Sequence, residues 1–460
     1  MQDLTTGSVT RHLLKTTSFM LVTMVFQTLY FLIDLYWVGR LGTDAVAAVG
    51  IAGNLTFIVL ALTQMLGVGT TTLVSHAVGR KDHDAANMMF NQSQVLATLV
   101  GVAFLIIALV ARVPFTRAQS ADAETARLAA SYLLWFIPAM ALQFLLVSMG
   151  AALRGVGNFK PTMIVSSATV VLNMILAPFL IFGWGTGRPF GVAGAAISSL
   201  VAIIVGIVWM TRYFRGDSFL HFIVADWKPK FAAWKRMIAI GVPSGVEFIL
   251  MAVYIAIVYS VARPFGAAAQ AGFGIGGRVI QALFMPSVAL GFSVAPVAGQ
   301  NFGARQRERV IDTYKHGAAI GCAIMFVLTI LCHLLPRQMV SVFSNDPAAI
   351  DTGAEYLTII SYNFLASGLI FVNASMFQAM GNTIPSLITS SLRIILVAIP
   401  VLIIARMPGF SLTQVWYLSV FAVFVQLIVS VLLLRREFSR RLAFPAPDAT
   451  PAIPASAVSA

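Results

Sequence analysis

Stretches of about 20 mostly apolar residues recur along this chain, the length at which a helix spans the hydrocarbon core of a bilayer. Twelve are readable, at 13–38, 51–75, 92–112, 128–151, 161–183, 192–214, 237–262, 270–298, 314–335, 354–379, 385–405 and 414–434. The 460 residues are 59% hydrophobic and only 10% charged, with a mean hydropathy of +0.88, whereas soluble domains carry about 25% charged residues. A water-soluble core cannot enclose so much apolar side chain. The expected fold class is therefore an all-α membrane protein of twelve transmembrane helices.

The formal charge of +13 invites a nucleic-acid reading, and the placement of the charges excludes it. With both termini on the cytoplasmic side, twenty of the 30 Lys and Arg fall on inner segments and eight on outer ones. That bias is the positive-inside rule. It points to a bacterial inner (plasma) membrane and needs no nucleic acid. The start, "MQDLTTGSVTRHLLK", lacks the pattern of a cleaved signal peptide, so 1–12 is an inner segment. The end, "FPAPDATPAIPASAVSA", has no apolar periodicity, so 435–460 reads as a basic stretch followed by a disordered tail. Cys322 and Cys332 lie ten residues apart on one expected helix, about 15 Å along its axis and too far apart for a disulfide. Trp37, Trp184, Trp209 and Trp416 lie near span ends, where interfacial anchors are expected. The six scattered histidines form no HExxH, and no CxxC or phosphate-cradling glycine loop is present. No enzymatic activity, cofactor or metal is expected, and the chain should work as a monomer.

An internal duplication appears when the chain is slid along itself at the one offset that brings Gly42 onto Gly266. "RLGTDAVAAVGIAG" (40–53) then lies over "PFGAAAQAGFGIGG" (264–277), and "GNFKPTMIVSS" (157–167) lies over "GNTIPSLITSS" (381–391). Each half holds six spans, an even number, so both enter and leave the membrane on the same side. The expectation is two bundles, 13–214 and 237–434, joined by an inner linker at 215–236. They should be related by a pseudo-two-fold axis along the membrane normal, as in transporters that rock two halves about a central site. The matched small residues suit close helix approach in lipid.

Four charges lie deep in spans: Asp34, Glu247, Arg278 and Arg393. The same offset pairs them with Val258, Thr23, Asn54 and Thr169, all uncharged. The charges therefore belong to individual sites and not to the repeated scaffold. Each costs about 2.5–3.5 kcal/mol at mid-bilayer, and such residues mark ion or substrate paths. Asp34 lies six residues before Arg40, about 9 Å below the outer end of its helix, and Glu247 lies near mid-depth. Out of water a carboxylate favours its protonated form, which suits proton exchange. Arg278 and Arg393 are expected to hold helices together or balance a carboxylate.

From about residue 10 to 435 the chain resembles the multidrug and toxic compound extrusion (MATE) family. The resemblance rests on "FLIDLYWVGRLGTDAVAAVG", "GVGTTTLVSHAVGRKD", "ALRGVGNFKPT", "IGVPSG" followed by Glu247, and "ALGFSVAPVAGQNFGA". It implies secondary antiport, in which an organic, often cationic drug leaves as protons or sodium enter. The family's first-span aspartate falls on Asp34, the seventh-span glutamate of some members on Glu247, and a fifth-span asparagine on Asn173. The chain departs at Ala177, where other members carry a second acid, and around Ser367, where a further subgroup has an aspartate. Both gaps weaken a sodium site, so protons are the expected coupling ion and sodium the alternative. A flippase for lipid-linked oligosaccharides is the more distant reading, since such a cavity would show several arginines and extra spans.

Overall fold

The computed structural model describes residues 2–185, 187–216 and 219–444; the expected disordered tail lies outside the described residues. The first half comprises α1 (Val9–Gly39), α2 (Thr43–Gly79), α3 (His83–Gln119), α4 (Ala123–Gly155), α5 (Phe159–Phe182) and α6 (Val192–Arg215). The second comprises α7 (Phe231–Ala262), α8 (Ala267–Gly303), α9 (Arg307–Leu334), the short α10 (Pro336–Ser341), α11 (Pro347–Ser361), α12 (Phe364–Ala379), α13 (Ile384–Ile404) and α14 (Leu412–Arg441). Among the described residues eleven helices are long and apolar enough to cross a membrane, and α11 with α12, counted as one bent span, brings the number to twelve. The two halves form a two-lobed, all-helical bundle.

The duplication is visible in the helix starts. Thr43 and Ala267, His83 and Arg307, and Ala123 and Pro347 open equivalent helices, each pair separated by the offset of the sequence repeat. The turns between the second and third helices of each half match to the backbone angle. Lys81 (φ 58°) and Arg305 (φ 57°), equivalent under the same offset, both adopt the left-handed conformation that non-glycine residues rarely take. On the opposite side Asp122 caps α4, accepting from the Thr125 N–H at 2.8 Å and its hydroxyl at 2.7 Å. The backbone bond first, then the hydroxyl, holds this carboxyl below its ordinary value of 3.8. The sign is that of a depressed acid: the cap's contribution is present at neutral pH and is lost only as pH falls through the lowered folded value.

One span departs from the sequence expectation. The stretch 354–379 is not one helix: α11 and α12 are bent by 59° across Tyr362–Asn363. The backbone freed at the break is met by α9, where the Thr329 hydroxyl donates to the Ser361 carbonyl at 3.2 Å. The His333 ring nitrogen lies 3.2 Å from the Ser361 hydroxyl. A break in a membrane helix is tolerated where neighbours supply the missing partners. The equivalent place in the first half is Pro138, which α4 carries without interruption.

The halves meet through α1 and α2 on one side and α7 and α8 on the other, and the contact is tightest at the basic end. There Gly79 lies on the Gln300 carbonyl and Gly303 on that of His76. His76 and Gln300 are themselves equivalent positions of the repeat, as are Gly79 and Gly303, so the crossing is reciprocal about the pseudo-two-fold axis. Each glycine is required because a Cβ would overlap the opposing backbone. Hydrogen bonds seal the same end. His76 Nε2–H donates to the Ala379 carbonyl at 2.6 Å and Thr72 to that of Gln378 at 3.2 Å. Gln300 donates to the Gly155 carbonyl at 2.9 Å and accepts from the Leu4 N–H at 3.0 Å. Among the described residues, the side-chain hydrogen bonds between halves all lie at this end except that from Thr28 to Met285 Sδ.

The linker between the halves is tied down by three amides of α3. Asn87 accepts from the His221 N–H at 2.8 Å. Asn91 accepts from Ile223 N–H and Trp227 Nε1, each at 3.0 Å, and donates to the His221 carbonyl. Gln92 donates to the carbonyls of Asp226 and Lys228. Asn91→Ala strands several of these groups at about 1–3 kcal/mol for a buried unsatisfied group. We expect limited trypsin digestion after Lys230 to accelerate in that variant; an unchanged rate would mean the amide does not hold the linker.

Trp416 does not act as an interfacial anchor. It is buried, stacked on Phe273 (ring centroids 5.5 Å apart) and against Tyr356 (4.6 Å). Apolar packing partners from α8 and α11 outweigh interfacial placement at this position. Trp184 and Trp209 remain about half exposed.

Candidate functional site

Asp34 lies on α1, buried at 8% exposure, and its Oδ1 has no hydrogen-bond partner. One turn earlier on the same face, the Tyr30 hydroxyl lies 2.8 Å from Ser199 Oγ on α6. Asn173 on α5 donates its amide to Ser198 Oγ and Ser199 Oγ, each at 3.1 Å. Both serines donate in turn to the Ala195 carbonyl. The Tyr30 and Ser199 hydroxyls thus pair with each other, and neither bonds the Asp34 Oδ1. Tyr132 of α4, fully enclosed, completes this side of the cluster. Of the residues named from sequence, Asn173 lies in one hydrogen-bond chain with Tyr30, Ser198 and Ser199, and Asp34 lies one turn beyond Tyr30 on α1. The adjacent serines in "GAAISSLVAI" were the readable signal for Ser198 and Ser199.

The chemistry follows from the donor count. A buried carboxylate oxygen without a donor is costly, and the cost is relieved by a proton or by a cation. Ala177, one turn beyond Asn173, is buried and brings no oxygen side chain. Among the described residues no group of three or more His, Cys, Asp or Glu is gathered to hold a metal ion.

Glu247 stands apart from this cluster. It lies on α7, partly buried, with the Ser386 hydroxyl of α13 beside it and its Oε1 unpartnered. The residue of α7 equivalent to Asp34 is Val258, eleven residues further along, which separates the two carboxylates by about 16 Å in depth. They belong to different sites. Arg393 lies on α13 seven residues beyond Ser386, its guanidinium 5.3 Å from the centre of the Tyr254 ring, which lies seven residues beyond Glu247. The two pairs form successive rungs between α7 and α13. The Tyr254 hydroxyl is 3.1 Å from Ser419 Oγ, repeating the Tyr30–Ser199 contact of the first half. The Nε of Arg393 is buried without a partner. Arg278 is exposed on α8. Neither arginine pairs with a carboxylate among the described residues; a cation over an aromatic face (Arg393) is the contact made instead.

Comparison with known proteins bears on the whole assembly. The MatE family model matches twice, at residues 20–179 and 243–404, once in each half. A probable multidrug resistance protein of Bacillus subtilis, YoeA, is 26% identical over 417 residues, covering 89% of this chain and 90% of that protein. A probable multidrug resistance protein of Thermotoga maritima, NorM, is 24% identical and covers 82% of this chain and 81% of its own. Among solved structures, a MOP superfamily transporter from Pyrococcus furiosus superposes with a TM-score of 0.88 at 24% identity, covering 95% of this chain and 98% of its own. With one family model matching both halves of the duplication and relatives aligned over most of its length, this chain belongs to the MatE family of multidrug and toxic compound extrusion transporters, an efflux family and not a family of enzymes.

Proposed function

We propose that this protein exports small organic molecules, often cationic, in exchange for protons, with Asp34 as the carboxylate that couples the two. It lies in a bacterial cytoplasmic membrane with both termini inside and works as a monomer. The observation that carries the reading is the Asp34 Oδ1, buried without a hydrogen-bond partner beside a polar cluster in which Tyr30, Asn173, Ser198 and Ser199 bond to one another. An ionised Asp34 attracts the substrate cation, and a proton arriving from outside displaces it. The seal at the basic end fits a conformation open to the outside, and rocking of 13–214 against 237–434 would exchange access.

Protons are favoured over sodium by the ligand supply. Sodium needs several oxygen donors at once. Here Asn173 turns its amide N–H groups to two serines, and Ala177 stands where a second acid would. The test is efflux of a fluorescent organic cation from vesicles under an imposed pH or sodium gradient. Drive by the pH gradient alone supports the proposal, and an absolute sodium requirement overturns it.

Glu247 acts as a second, auxiliary acid of the other half in this reading. Glu247→Gln keeps the shape and removes the charge. We expect slower turnover with the pH gradient still effective, measured in the same vesicles. Complete loss of coupling in Glu247→Gln, with Asp34→Asn still active, would transfer the central role to Glu247.

A further inference from the structure

Beyond the transport site, α5 and α6 carry a groove on the outer surface of the first half. Two adjoining hollows, of about 490 and 370 Å³, share Trp209 and Tyr213 as their common wall. Their lining is graded along the helices. Ile204, Val205 and Val208 of α6 and Ile164 and Val165 of α5 form the apolar part. The amphipathic rings of Trp209 and Tyr213 follow. Arg212 on one helix and Lys160 on the other close the basic end, both exposed. From Ile204 to Arg212 is eight residues, about 12 Å of helix. The Tyr213 hydroxyl is fixed by the Asn158 amide at 2.8 Å, so one wall is held in place. Neither Lys160 nor Arg212 has an ion-pair partner among the described residues, and no acid lines either hollow.

Acyl-length aliphatic surface, then interfacial aromatics, then unpaired cations is the order of groups along a phospholipid read from tail to phosphate. We propose that this groove binds one anionic glycerophospholipid of the leaflet on the basic side, with its phosphodiester between Lys160 and Arg212 and an acyl chain along Ile164 and Val208. Charge selects the occupant. A zwitterionic lipid brings a cation of its own toward Lys160 and Arg212, and an apolar partner helix leaves both cations unmatched.

The test is lipid retention by the purified full chain from mixed micelles holding equal phosphatidylglycerol and phosphatidylcholine of the same acyl chains, read by native mass spectrometry. Wild type is expected to retain phosphatidylglycerol preferentially. Removing one cation should weaken that preference about fivefold, and the double variant Lys160→Gln, Arg212→Gln about 30-fold. The control Lys228→Gln, Lys235→Gln removes the same charge from the linker and the first turns of α7 and should leave retention unchanged. Equal loss in both double variants would reduce the effect to diffuse attraction by the basic face and overturn the site, as would no loss in either. Should the groove variant fail to fold, the wild type still decides. Brominated phosphatidylglycerol should quench tryptophan emission more than brominated phosphatidylcholine does, and Trp209→Phe should remove the difference. Quenching that ignores the headgroup, or a difference that persists in Trp209→Phe, overturns the proposal.

Discussion

Asp34→Asn, expressed at the wild-type level, is expected to abolish uphill export driven by a pH gradient while leaving the protein folded. Asparagine matches aspartate in size, and its neighbours Tyr30, Asn173 and Ser199 bond to one another without it. The variant also removes an ionisable carboxyl from a buried position, so thermal stability should hold or rise. What disappears, in the proposed mechanism, is the group that alternates between a proton and a cation. Each pH unit of the imposed gradient supplies about 1.4 kcal/mol per proton, one decade of accumulation, and that drive should vanish in the variant. The check is efflux of a fluorescent organic cation from vesicles under an imposed pH gradient, beside a melting curve. Undiminished efflux would remove Asp34 from the mechanism.

Gly303→Ala should shift the balance between conformations, and Gly79→Ala should do the same from the other side of the axis. The added Cβ would overlap the His76 carbonyl in the first case and the Gln300 carbonyl in the second. Both obstacles are helix backbone and cannot rotate away. Overpacking of this kind costs about 1–3 kcal/mol. Because the cost falls only on the state in which the basic ends touch, it displaces a two-state equilibrium by about 5- to 150-fold. Spin labels at Arg80→Cys and Ala304→Cys, with Cys322 and Cys332 replaced by serine, should report a longer distance and a lost short-distance population. Gly50→Ala is the control, since a Cβ there meets nothing within 4 Å. An unchanged distance distribution would mean the glycine crossing does not hold the closed end.

The span count and the two-fold plan were legible because both rest on long-range statistics: hydropathy summed over the length of a whole span, and identities repeated at one offset. The break at Tyr362–Asn363 was not, because neither Pro nor Gly marks it and its compensation comes from Thr329 and His333 on another helix. Trp416 misled for a similar reason: a tryptophan near a span end looks the same whether it meets headgroups or Phe273. Asp34 stood out as a charge in an apolar run. That its Oδ1 lacks a partner while Tyr30 and Ser199 pair with each other is a fact of geometry spread over two helices. Sequence exposes which residue is expensive; only packing tells what it has been denied.

The reciprocal crossing of Gly79 and Gly303 has a consequence for ancestry and assembly. An interface in which residue i meets j while the copy of j meets the copy of i is the isologous contact of a symmetric dimer. Here it survives inside a single polypeptide. The covalent tie between the halves is therefore redundant for their recognition, and the two fragments left by a cut between Gly216 and Phe219 should stay together in detergent as a heterodimer of the two six-span units.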